Sequence, residues 1–183
     1  SPLIADRLGT AAAGRLVLPG HVLRFSKDHQ RLAEIVASGT IGRPIHVNSR
    51  RYRDDSHALR YSDVDPVFMT LIHDIDLALW LAGAPLRSAQ AHRVPDSFRS
   101  MTVATGITRS GVICDLRTAW TFPSGDLPVD RVEVVGERGS VELELGRTLS
   151  IFHDGRRQEI PLEIADDALA NEQLHFIECI RNS

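Results

Sequence analysis

Lysine is almost missing from this chain, and basic residues of either kind form no extended cluster. Lys27 is the one lysine among 183 residues, so nearly all positive charge is carried by arginines, and the formal net charge is -3. The densest basic stretch, 50–53, is followed at once by Asp54 and Asp55. A nucleic-acid-binding protein normally carries a basic stripe or patch. We therefore expect no nucleic-acid partner.

Cysteines and long apolar runs are also scarce. Cys114 and Cys179 are too few and too far apart for a zinc ribbon or a disulfide framework. No stretch is long and apolar enough to span a bilayer, and no charged-then-apolar signal peptide opens the sequence. The expectation is a cytoplasmic protein with no membrane association and no structural metal.

A glycine-rich dinucleotide-binding turn is a further absence. No Gly-x-Gly-x-x-Gly follows a predicted strand, and Gly9, Gly14 and Gly20 are spaced too widely to form that turn. The pyrophosphate of a dinucleotide is normally held at the helix N-terminus that such a turn opens. We therefore expect these residues alone to bind no dinucleotide.

What is present resembles an ordinary globular protein, with 43% hydrophobic and 25% charged residues. Helix-forming residues at 3–13 come first, followed by an extended segment at 22–25. Ser26 is a candidate N-cap for a helix ending near Gly39. A strand is predicted over 45–53, a polar loop over 54–66, and then an apolar helix that contains His73 and ends at Gly83.

Beyond Gly83 the pattern changes to strands. Segments of alternating polarity are joined by short turns, which favour antiparallel neighbours because a parallel crossover needs a dozen or more residues. They lie at 88–94, 101–108, 112–121, 131–135, 140–145 and 149–153, before an amphipathic helix at about 167–180. The predicted fold is α+β, with a large, mostly antiparallel open sheet and helices packed on one face. A second subunit would cover the open sheet.

His73 and Asp76 are the first candidates for chemistry. The ordinary pKa of histidine suits proton transfer near neutral pH, and Asp76, three residues later, shares its helix face. The alternative is that the pair only ties down the start of a helix. A metal site built from His73, Asp74, Asp76 and His57 or His92 is disfavoured, because neighbouring helical side chains point about 100° apart. No second short-spaced pair completes such a site.

Three arginines are candidate substrate contacts. Arg51 and Arg53 alternate on one strand and so share a face, where they could bind a hydroxylated or anionic substrate. The alternative is that both arginines belong to a charged strand face that pairs with Asp54 and Asp55. Arg24 ends an extended segment and could reach a cleft at a domain junction, or could simply be solvated or ion-paired.

The ordered motifs resemble the glucose–fructose oxidoreductase/inositol dehydrogenase (Gfo/Idh/MocA) family. The motifs are Gly20-His21-Val22-Leu23-Arg24-Phe25, Gly39-Thr40-Ile41-Gly42-Arg43-Pro44, His73-Asp74-Ile75-Asp76 with Trp80-Leu81-Ala82-Gly83, Val134-Val135-Gly136-Glu137-Arg138-Gly139-Ser140, and His175-Phe176-Ile177-Glu178-Cys179-Ile180-Arg181. Members of this family are NAD(P)-dependent oxidoreductases of sugars, polyols and related small molecules. They have an N-terminal Rossmann domain and a C-terminal α/β domain whose open antiparallel sheet commonly forms the oligomer interface.

The resemblance implies a division of this chain. Residues 1–25 would be a remnant of the end of the Rossmann domain, and residues 26–183 would form the substrate-binding and oligomerisation domain. NAD or NADP would be the cofactor of the full-length protein, with none expected for this fragment alone. A homo-oligomer, dimer or tetramer, would form through the sheet.

The resemblance also implies roles for site residues. His73 would accept the proton of a substrate hydroxyl with Asp76 beside it, while the substrate contacts would be Arg24, Arg51, Arg53 and Asp74. Two positions depart from the family pattern. The family's aspartate one turn before the histidine is Met69 here, and its Glu-Lys-Pro lysine would be Ser1 if Pro2 is that proline. A non-catalytic sugar-binding or oligomerisation module of the same fold is the alternative.

Overall fold

The computed structural model describes residues 17–94, 100–125, 127–162 and 167–182. Its helical elements are a 3₁₀ helix (Val22–Phe25), α1 (Lys27–Ala37), α2 (Asp55–Arg60), a π-helical turn (Val67–Leu71), α3 (Ile72–Ala82) and α4 (Ala168–Arg181). Its strands are β1 (Pro44–Asp54), β2 (Leu86–Val94), β3 (Met101–Thr108), β4 (Ile113–Phe122), β5 (Arg131–Gly136), β6 (Gly139–Glu144), β7 (Thr148–His153) and β8 (Arg156–Ile160). The helix expected at 3–13 lies outside the described residues.

The strands form a single eight-stranded sheet in the order β2-β3-β4-β1-β5-β6-β7-β8. Within the described residues, β1 pairs in parallel with β4, and every other neighbouring pair is antiparallel. The central β1 therefore has partners from distant parts of the chain on both sides. The predicted α+β fold with a mostly antiparallel open sheet is confirmed.

The core lies between one face of this sheet and the helices α1 and α3. Val112, Cys114 and Leu116 point into it, while Asp115 and Arg117 point to the open face, as the alternation predicts. From the helices, Leu32 and Leu77 are completely or almost completely buried against the sheet, together with other apolar residues of α1 and α3. Burial of each such leucine contributes about 1.5–3 kcal/mol. Both α1 and α3 pack on this one face of the sheet, and neither covers the other face.

Two of the glycines in the Val134–Ser140 motif allow backbones to approach closely. A Cβ atom at Gly136 would lie 2.2 Å from the carbonyl oxygen of Ile41, and one at Gly139 would lie 2.1 Å from that of Phe152. Both distances are far below van der Waals contact, so larger residues would displace backbone. Gly83 ends α3 in the left-handed conformation with φ 63°, as expected for a C-cap.

The predicted boundaries of strands and of the helices at 27–38 and 167–180 are confirmed to within two residues, but three assignments were wrong. Residues 22–25 form a 3₁₀ helix instead of an extended segment. The expected loop at 54–66 contains α2, which Asp54 caps by accepting a hydrogen bond from the backbone N–H of His57 at 3.1 Å. The edge strand at 156–160 was missed because its residues are polar and exposed and show no alternation.

Ser26 precedes α1 as predicted, but its side chain does not cap the helix. Its hydroxyl instead contacts Nδ1 of the buried His29 at 3.0 Å. None of the helices in the described ranges combines the length and apolarity needed to cross a membrane.

Candidate functional site

The candidate site lies where the start of α3 meets the C-terminal half of β1. The π-helical turn at 67–71 leads directly into α3, and π turns occur frequently at functional sites. It places His73 and Asp74 in the first turn of α3, with His73 partly exposed and Asp74 completely buried. Their side chains diverge because successive helical residues are about 100° apart. One therefore faces the sheet while the other is accessible from outside.

Asp74 anchors α3 to the sheet through a buried hydrogen-bonded ion pair. Arg51 donates from Nε to Oδ2 at 2.9 Å and from Nη2 to Oδ1 at 3.0 Å, and the hydroxyl of Ser49 donates to Oδ1 at 2.6 Å. A bidentate pair of this kind is geometrically specific and satisfies the buried carboxylate. Asp74 has no exposed surface in this structure, and a substrate contact by Asp74 stays a prediction. Arg51, at 6% exposure, is likewise occupied by protein groups.

Arg51 and Arg53 share a face of β1 as predicted, and both reach Asp130. Arg51 Nη1 donates to Asp130 Oδ2 at 3.2 Å, and Arg53 Nη1 donates to both carboxylate oxygens at 3.0 and 3.1 Å. The backbone N–H of Tyr52 donates to Asp130 Oδ1 at 3.1 Å. The two arginines therefore converge on Asp130 and not on residues 54–55. Sequence reasoning missed Asp130, which has no motif and precedes a strand of ordinary pattern.

The surroundings of His73 favour its neutral form. Burial is the main cause that lowers the pKa of His73 below its ordinary value, and the positive charge of Arg51 lowers it further. The carboxylates of Asp74 and Asp76 act in the opposite direction, and His21 adds a smaller lowering effect. Nδ1 of His73 is buried and has no hydrogen-bond partner among the described residues. The surroundings thus favour the neutral imidazole, and its orientation is not set by a bond to Nδ1.

Asp76 shares the helix face of His73 but is held by Arg24. Arg24 donates from Nε and Nη2 to the two carboxylate oxygens, each at 2.8 Å. His21 Nε2 lies 3.7 Å from Oδ1, and the guanidinium of Arg24 lies 5.6 Å from the ring centroid of Trp80. The structure therefore brings Asp76 and Arg24 together beside His73. A catalytic role for Asp76 and substrate binding by Arg24 stay predictions.

Trp120 of β4 holds the π-helical turn against the sheet. Its indole Nε1 donates to the hydroxyl of Thr70 at 3.1 Å, and its ring meets that of His57 edge-on with centroids 4.6 Å apart. Trp120 is 1% exposed and therefore lies in the core of this chain. Burial, followed by the charge of Arg53, lowers the pKa of His57. Among the described residues no group of three or more His, Cys, Asp or Glu side chains could hold a metal ion.

Two cavities lie near these elements without including His73. An apolar crevice lies between α3 and strands β2, β3 and β4. A polar cavity is lined by Asp65, Arg93, Ser100 and Trp120, among other residues. His73 lines neither of these two cavities and is partly exposed.

The sequence of this chain is similar to those of known oxidoreductases. Residues 29–142 match the model of the GFO/IDH/MocA C-terminal domain. Inositol 2-dehydrogenase 2 from Saccharopolyspora erythraea is 30% identical over 148 residues, which cover 76% of this chain and 42% of that protein. Inositol 2-dehydrogenase from Salmonella typhimurium is 28% identical over 135 residues, covering 70% of this chain and 39% of the relative.

Solved structures give the same fold. UDP-N-acetylglucosamine 3-dehydrogenase GnnA from Acidithiobacillus ferrooxidans superimposes with a TM-score of 0.82 at 25% identity, covering 97% of this chain and 57% of GnnA. The chain thus spans about half the length of the relatives it matches. Since the family model covers most of the chain, and the order of strands and the His73 helix agree with the resemblance seen in the motifs, this chain belongs to the GFO/IDH/MocA C-terminal domain family.

Proposed function

We propose that this chain is the substrate-binding and catalytic domain of an NAD(P)-dependent oxidoreductase that acts on a sugar, a polyol or a related small hydroxy compound. The observation that carries the proposal is the placement of His73. It lies partly exposed at the start of α3, and burial and Arg51 favour its neutral form. A neutral imidazole at a surface can accept the proton of a substrate hydroxyl. The substrate class is supported by the inositol and UDP-N-acetylglucosamine dehydrogenases that the chain resembles.

The nicotinamide cofactor is assigned to a part of the protein outside these residues. The described residues contain no glycine-rich turn between a strand and a helix, so they do not fit the phosphates of a dinucleotide. When bound, NAD or NADP would accept hydride from the carbon that bears the reacting hydroxyl. This chain's part would be to bind the substrate and take up its hydroxyl proton on His73.

The test is turnover by the full-length protein that we propose contains this chain. With NAD⁺ or NADP⁺ and a panel of polyols and sugars that includes myo-inositol, H73Q should lower kcat by about 10²–10⁴-fold, the usual contribution of a positioned base. H57Q is the matched control, because His57 also has a pKa lowered by burial but packs edge-on against Trp120. A kcat for H73Q within a few-fold of wild type would exclude His73 as the base.

A second candidate function, a non-catalytic sugar-binding module, is favoured by two observations. Met69 replaces an aspartate one turn before the family's histidine, and the buried Nδ1 of His73 lacks a hydrogen-bond partner in the described structure. Without an acceptor at Nδ1, the imidazole lacks a usual means of fixing its tautomer. The module is supported if the full-length protein binds a polyol but does not reduce NAD(P)⁺, and if M69D introduces turnover.

We also propose that the open face of the sheet pairs with a second copy of the chain. This face carries exposed apolar residues, such as Val94 at 63% and Ile113 at 51% exposure, beside charged pairs such as Arg117 with Asp115. Pairing would remove these apolar side chains from water. It would also cover a sheet face that the helices leave open.

A further inference from the structure

We propose that Arg51 is the positioning residue of this site: its fork on Asp74 fixes the first turn of α3 and thereby the direction of His73. The inference rests on the proposed function, in which His73 is the proton acceptor. The sequence analysis considered Arg51 as a substrate contact. In this proposal Arg51 acts only through other protein groups.

The hydrogen bonds of Arg51 are divided between two elements that meet at the site. Nε and Nη2 bind Asp74 on α3 at 2.9 and 3.0 Å, and Nη1 binds Asp130, just before β5, at 3.2 Å. The guanidinium is planar and rigid, so a rotation of α3 about its axis would break the two-point contact with Asp74. Arg51 is 6% exposed and its geometry is therefore set by protein and not by solvent.

His73 directly precedes Asp74 in the helical turn that the contact between Arg51 and Asp74 holds in place. Since its Nδ1 has no hydrogen-bond partner among the described residues, the backbone of α3 constrains its direction in place of such a bond. Fixing Asp74 against β1 fixes that backbone. Ser49 contributes a single further bond to the same carboxylate, at 2.6 Å.

Arg51 is also one of the charged groups that face the imidazole. These are Arg51 from β1, His21 from the segment before the 3₁₀ helix, and Asp74 and Asp76 from α3 itself. After burial, Arg51 is the strongest influence on the pKa of His73 and lowers it, whereas Asp74 raises it. A cation near an imidazole disfavours its protonated form, and an anion favours it. The two members of the ion pair therefore act on His73 with opposite sign.

This opposition gives the two members of the ion pair distinguishable effects on the titration of His73. The experiment is an NMR titration of the His73 imidazole in this chain, for wild type, R51Q and D74N. The apparent pKa of His73 should rise in R51Q, which leaves the Asp74 anion unopposed, and should fall in D74N. R53Q is the matched control, because Arg53 lies two residues along the same strand and also binds Asp130, but is not among the charges that act on His73. It should leave the titration unchanged.

If R51Q does not fold, the R51K variant tests the positioning role of Arg51. Lysine keeps the positive charge but cannot form the two-point contact. The titration of His73 should then stay close to wild type while its imidazole resonances shift, and the full-length enzyme should lose kcat with KM retained. Equal movement of the His73 titration in R51Q and D74N, or unchanged resonances and kcat in R51K, would overturn the inference.

Failure of the proposed function would look different. The titration requires no turnover, so a protein that proves non-catalytic leaves the NMR result standing. Conversely, an R51K enzyme with full kcat alongside an inactive H73Q enzyme would refute the positioning role while the proposed function stands.

Discussion

Arg51→Met is the substitution that most directly tests the energetic role of the buried network. Asp74 has no exposed surface and accepts three hydrogen bonds, two from Arg51 and one from Ser49. The methionine fills much of the arginine's volume but leaves the carboxylate with the Ser49 bond alone. Removing one partner of a buried ion pair typically costs about 3–5 kcal/mol. Because a domain is stable by only about 5–15 kcal/mol, R51M should lose a large part of its free energy of unfolding.

Urea unfolding of the chain, followed by the fluorescence of its two tryptophans, Trp80 and the buried Trp120, measures this loss. The midpoint urea concentration should fall while the m-value stays unchanged, since the surface exposed on unfolding is nearly the same. A changed m-value would indicate a less compact state instead of a simple loss of stability.

Two companion variants make the reasoning refutable. R53M removes an arginine whose side chain is 31% exposed and whose one carboxylate partner is Asp130, so it should cost at most about 1 kcal/mol. The double variant R51M/D74L removes both buried charges and should recover most of the stability lost in R51M. If R51M is no less stable than R53M, or if D74L adds to the loss, the buried pair does not have the assigned role.

Three further predictions concern other parts of the molecule. G139A should lower the free energy of unfolding by about 1–3 kcal/mol in urea, because its Cβ would meet the carbonyl oxygen of Phe152. A loss of stability near zero would show that β6 and β7 can separate freely. Burial depresses the pKa of His57 and His73 in the folded chain, so the unfolded chain binds more protons in the window below pH 6.5. The free energy of unfolding should therefore fall as pH is lowered from 7 through that window. H57Q should flatten this dependence, and a stability that rises on acidification would contradict it. I113D should shift the chain to a smaller species in light scattering at equal concentration, whereas an unchanged mass would place Ile113 outside any interface.

Much of the fold could be predicted because its signals are local. Alternation along 112–117 assigned each residue to the core or the open face, and the apolar helix that ends at Gly83 needed no partner to be recognised. The same local rules missed α2, a six-residue helix, and the polar edge strand at 156–160. Short and exposed elements carry little periodicity.

Local pattern and family resemblance predicted the candidate site residues, but they did not predict the partners of these residues. His73 and the shared face of Arg51 and Arg53 follow from helical and strand periodicity. That Arg51 would hold Asp74 and Asp130, the latter 79 residues away, depends on β1 lying between β4 and β5. The sequence by itself determined the element that carries each charge and the face on which it lies. Only the tertiary structure decided which charges are buried together, because strand order, and with it the meeting of distant side chains, is set by the packing of the whole sheet.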